Sequence, residues 1–109
     1  MAYSRAVIFI ETPTFGADRD ELLPDDTFAE FQQLLADRPD AGDLIPGGHG
    51  LRKVRVALQG RGKRGGARVI YYWRVAESQI LLVAVFAKNV MVDLTKTQLK
   101  ALAKAYTEG

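Results

Sequence analysis

Lys53 and Arg55 leave the alternating run 51–58 on the side opposite Val54, Val56 and Leu58, and Arg68 opens the next β-forming run. If the two runs pair, these three cations could share one concave surface. Such a surface suits phosphate oxygens: an ammonium acts as a point charge, and a guanidinium offers two parallel N–H donors. Between the runs begins GRGKRGGARVIYYWR, residues 60–74. Its Gly60-x-Gly62-x-x-Gly65 has the spacing of a dinucleotide-binding loop. That fingerprint needs a helix after the loop, however, and a strand follows here. A Walker pattern is absent as well. Two readings of residues 59–66 remain. One is a glycine-rich hairpin loop kept soluble by its cations. The other is a mobile basic loop in which Arg61, Lys63 and Arg64 follow a phosphate backbone. Alternation puts Tyr71 and Trp73 on one face and Tyr72 with Arg68 on the other, so Tyr72 is the candidate to stack on a base.

The net charge of +2 conceals a division. Residues 1–43 carry ten acids against three bases, a balance of −7, whereas residues 44–76 carry eight bases and no acid. A solvated face usually mixes signs, so a one-signed segment points to an anionic partner. Other chemistry is poorly supplied. His49 is the only histidine, which excludes a Ser-His-Asp triad, and there is no cysteine for thiolate or disulfide chemistry. Asp25 and Asp26 are adjacent on a helix and diverge, a poor metal site; they suit a solvated helix start. No metal and no cofactor is expected. The longest apolar run, 80–87, cannot span a bilayer. Without cysteines, and with an N-terminal apolar run too short for a signal peptide, the expected location is the cytoplasm, with no membrane partner.

Positioning these residues takes one small domain of 109 residues. Residues 3–11 read as a strand buried on both faces, ended by Thr12-Pro13. Residues 16–23 suggest one or two helical turns. A helix over 24–37 follows, with Phe28, Phe31, Leu34 and Leu35 at helical spacing, and Arg38-Pro39 stops it. Residues 41–50 read as a loop. Strands over 51–58, 67–75 and 79–87 have short connections and therefore form an antiparallel meander, the last of them interior to the sheet. Thr95 with Gln98 makes a capping box, and Leu94 against Leu99 a hydrophobic staple. The helix they open would pack Leu99, Leu102, Ala103 and Tyr106 against the sheet. The class is α+β, an N-terminal strand and helix and a C-terminal helix on a meander.

The stretches GLRKVRV, GRGKRGGARVIYYW, LLVAVFAKN and DLTKTQLKAL, with the opening VIFIETPTF, together resemble the RelE-like toxins of type II toxin–antitoxin systems, and among them the HigB branch. The resemblance runs from about Val7 to Tyr106. It implies an endoribonuclease, an mRNA interferase that cuts messages on the translating ribosome. It also implies neutralisation by a HigA-like helix-turn-helix antitoxin, with operator DNA reached only through that partner. The family's cationic positions carry over to Lys53, Arg55, Arg68 and Lys88, and Asn89 stands where some relatives have a further arginine. Arg52, Arg61, Lys63, Arg64, Tyr72 and Asn89 are then the expected RNA-binding residues. Tyr106 reads as helix core, so the tyrosine that some relatives use has no secure counterpart.

Cleavage by attack of a 2′-hydroxyl needs a base, cations for the phosphorane charge and a proton for the leaving oxygen. Without a catalytic histidine the expected base is Lys53, if neighbouring cations and partial burial make it less basic. Arg55 and Arg68 would stabilise the phosphate, and Lys88 would hold substrate or act as the acid. Two rivals remain: a ParE-like inhibitor of gyrase with the same fold, which would not need these cations in catalytic geometry, and a non-catalytic RNA-binding module using the same basic groove.

Overall fold

A computed structural model describes residues 7–57 and 66–87, together with Thr97, Lys100, Ala101, Lys104 and Ala105, which are helical and exposed. The elements are β1 (Ile8–Glu11), α1 (Pro13–Leu22), α2 (Asp25–Asp37), β2 (Asp43–Leu44), β3 (Leu51–Val56), β4 (Ala67–Arg74) and β5 (Gln79–Ala87). They form one five-stranded sheet in the order β1-β5-β4-β3-β2. The three long strands make the antiparallel meander that their short connections require. β5 is interior, flanked by β4 and by β1, and β1 runs parallel to it.

Both described helices lie on one face. Phe15 and Leu23 from the first helical stretch, and Phe28, Phe31 and Leu35 from α2, pack with Val56, Val69, Tyr71, Ile80, Leu82 and Val85. These are the inward positions of the strands, two apart on each except where a bulge intervenes. The other face carries a smaller cluster of Leu51, Ile70, Leu81 and Val83, against which Ile45, Tyr72, Ala84 and Phe86 pack. The bulge lies between Ile70 and Tyr71: Ile70 pairs with Ala84 and Tyr71 with Leu82, leaving Val83 as the extra residue of β5.

Four expectations change. The first strand is an edge of four residues with Ile8 and Ile10 exposed, rather than one buried on both faces. An apolar run reports β propensity but not lateral position, and among the described strands β1 has a neighbour on one side only. α1 spans ten residues, more than the one or two turns expected. Thr12 is its N-cap, accepting the Phe15 N–H, and Pro13 follows where its missing donor costs nothing. α2 begins at Asp25, with Pro24 as its N-cap rather than its first residue, and Leu34 is exposed. The loop before β3 contains β2, two residues paired with Arg52 and Lys53. The expected packing of Leu99, Leu102, Ala103 and Tyr106, and the start at Leu94, Thr95 and Gln98, lie outside the described residues.

Candidate nucleic-acid interface

The β3–β4 register decides which side chains share a surface. Leu51 pairs with Tyr72, Lys53 with Ile70 and Arg55 with Arg68. Residues directly opposite one another project to the same side. Lys53, Arg55, Arg68 and Tyr72 therefore stand on one face, opposite to α1 and α2. Lys53 and Arg55 are exposed, while Arg68 and Tyr72 are half-buried. Exposure of Lys53 departs from the partial burial expected of a lysine base. The ion pairs among the described residues are those of Arg19 with Asp20 and Asp25, so no carboxylate there pairs with Lys53, Arg55 or Arg68. This leaves the cations available to an external anion.

Tyr72 is seated by a glycine. Gly50 has φ +100°, a left-handed conformation, and a Cβ there would lie 2.8 Å from Tyr72 Cε1. Only glycine combines that backbone with so close an approach of the ring. His49, beside it, is exposed and also left-handed, with φ 53°. Arg55 also lines a groove with Thr27, Glu30, Phe31 and Leu34 of α2.

Arg52 belongs elsewhere. It pairs with Tyr71 and shares the helix-covered side with Val54 and Val56. Its Nη1 donates to the carbonyls of Gly42 (2.7 Å) and Asp40 (3.4 Å). Tyr71, fully buried, donates its hydroxyl to Pro39 O at 2.7 Å and accepts the Gly42 N–H at 2.8 Å. Burial raises the Tyr71 pKa above the usual phenol value, and the Gly42 hydrogen bond and the Arg52 charge oppose that rise. Arg52 and Tyr71 thus brace the chain leading into β2. Sequence reasoning gave no such role to either, because their partners lie in a loop distant in sequence.

Asp43 falls in the stretch 41–50 that the sequence reads as a loop. The β2–β3 register sets it opposite Lys53, hence on the cationic face, and it is exposed. No local pattern marks a two-residue strand. Lys88, Asn89, Arg61, Lys63 and Arg64 lie outside the described residues. Among the described residues no three His, Cys, Asp or Glu side chains gather as metal ligands would, and no helix is long and apolar enough to cross a membrane.

A family model described as the RelE toxin of the RelE/RelB toxin–antitoxin system matches residues 19–108. Among solved structures, the conserved hypothetical protein HP0894 from Helicobacter pylori is similar at 17% identity, over 76% of this chain and 96% of that one, with a TM-score of 0.33.

Proposed function

With that match over most of its length the chain belongs to the RelE toxin family, the toxin side of a toxin–antitoxin pair, and on that premise we propose that it is a ribosome-dependent mRNA endonuclease of the HigB kind. The observation that carries the proposal is the placing of Lys53, Arg55 and Arg68 on one face, without an ion-pairing carboxylate among the described residues. A phosphate backbone laid on that face meets two guanidinium forks at the Arg55–Arg68 rung. They stabilise the charge that develops on the non-bridging oxygens. Lys53, one rung away, exchanges a proton with the substrate. Tyr72 offers a ring for a base to stack on. Lys88 holds the message in place. Arg61, Lys63, Arg64 and Asn89 extend the contact to RNA, whereas Arg52 serves by bracing the loop before β2.

No metal takes part in this reading. Acid–base help from placed side chains amounts to about 10²–10⁴-fold, and holding RNA in line for attack supplies more. The ribosome provides that alignment, so the protein acts in the cytoplasm, on messages under translation. A HigA-like helix-turn-helix antitoxin neutralises it by covering the cationic face or by making the complex too large for the ribosomal A site. Operator DNA is reached only through that antitoxin.

Purified protein incubated with one message, with and without ribosomes, tests this. Cleavage linked to codons on translating ribosomes is expected, with little on naked RNA. Equal cutting of naked message at the same places defeats ribosome dependence. Binding without cutting in both arms transfers the protein to the gyrase-inhibitor or RNA-binding class.

A further inference from the structure

The chain entering β2 is held by groups that a plain connection would not need. Tyr71 grips it at Pro39 O and Gly42 N, and Arg52 grips Gly42 O. Gly42 has no room for a side chain, since a Cβ would lie 2.8 Å from Tyr71 Cε1. Just beyond β2 the Ile45 N–H donates to Leu51 O at 2.9 Å. Between these anchors stand Asp43 and Leu44. Leu44 pairs with Arg52, and Asp43 pairs with Lys53 on the face of Arg55 and Arg68. Among the described strand residues on that face, Asp43 is the one carboxylate, and it forms no ion pair with Lys53. An aspartate side chain is short, so its reach is set by its backbone, and here the backbone is fixed on both sides.

From this juxtaposition we propose that Asp43 is the general base of RNA cleavage and Lys53 the general acid. The inference deepens the nuclease reading and rests on it. At neutral pH a carboxylate is ready to accept a proton and an ammonium to give one, the reverse of what a lysine base requires. The Asp43 carboxylate takes the proton of the 2′-hydroxyl as that oxygen attacks phosphorus. The O2′–P bond forms, and Arg55 and Arg68 meet the charge on the non-bridging oxygens. The P–O5′ bond breaks with its electron pair on oxygen, and that oxygen takes a proton from the Lys53 ammonium. The products are a 2′,3′-cyclic phosphate and a 5′-hydroxyl. The proton on Asp43 then passes through solvent to the Lys53 amine and restores both groups.

The test is the single-turnover rate on ribosome-bound message at saturating protein, for wild type, Asp43→Asn and Lys53→Ala. Asp43→Asn should lower the rate by about 10²–10⁴-fold with an unchanged melting temperature. A second message carries sulfur in place of the bridging 5′ oxygen at the cut. A thiolate leaves without a proton, so this message should rescue Lys53→Ala and leave Asp43→Asn impaired. Wild-type cutting with Asp43→Asn at the same rate overturns the assignment, as does rescue of Asp43→Asn by sulfur. A variant that melts early shows a structural role and also overturns it. Failure of the wild type itself to cut is a different result: it removes the nuclease reading, and the base with it.

Discussion

Arg55 and Arg68 face each other across the β3–β4 ladder. Like charges directly opposite one another destabilise a sheet, and cross-strand pairs are worth about 0.2–1 kcal/mol. Arg55 is exposed, so solvent screens the repulsion toward the low end of that range. A fold alone gives no reason to keep the pair, whereas binding a phosphate does. Arg68→Ala should therefore melt at or slightly above the wild-type temperature while cleavage falls by roughly 10²–10³-fold, the usual loss when one donor to a developing oxyanion is removed. Arg68→Lys should keep the charge, lose the two-pronged contact and recover only part of the rate. Thermal melting beside ribosome-dependent cleavage measures both. A large drop in melting temperature for Arg68→Ala would make this arginine a structural residue.

The junction of β1, α1 and β5 depends on Thr12, which is buried. Its N–H donates to Leu82 O at 3.1 Å, its hydroxyl donates to Val83 O at 2.7 Å, and its Oγ1 accepts the Phe15 N–H. One side chain thus caps the helix and satisfies a carbonyl at the bulge. Thr12→Ala removes both contacts and should cost about 1–3 kcal/mol, seen as a lower urea midpoint with an unchanged slope. Thr12→Ser should keep most of the stability. The Thr-Pro pair that opens this helix reads in the sequence as the end of a strand, and only the tertiary contacts show that it also starts a helix. The meander was legible because alternation in residues 51–56 and the apolar run of β5 leave few other arrangements. β2 was not, since two residues carry no period. The same limit divides the candidate site. Alternation puts Lys53 and Arg55 on one face, and the hairpin pairing of the next strand brings Arg68 beside them. Placing Asp43 with them, and turning Arg52 away toward Gly42, requires knowing where the loop after α2 returns to the sheet.

Tyr71 joins the main core to that returning loop, and its chemistry links the stability of the whole domain to pH. The ring is packed among Val69, Leu82 and the helix residues, and its hydroxyl serves two backbone groups. Ionisation would place a charge in that core and abolish the hydrogen bond donated to Pro39 O. Burial accordingly raises the Tyr71 pKa above the ordinary phenol value of about 10. The neutral form is thus favoured in the folded state. Below pH 10 both folded and unfolded chains hold the proton, and the contribution of the tyrosine is fully present. Above pH 10 the unfolded chain releases it first, so stability falls as pH rises toward the folded value. Tyr71→Phe lacks the titration but leaves the Gly42 N–H and the Pro39 carbonyl without this partner. It should be less stable than wild type by about 1–3 kcal/mol near neutrality. The gap should then narrow as pH climbs past 10, because only the wild type loses stability through this group. Urea titrations of both proteins between pH 7 and 11 check this, and a gap that stays constant across that range would remove Tyr71 as the source of the alkaline limb.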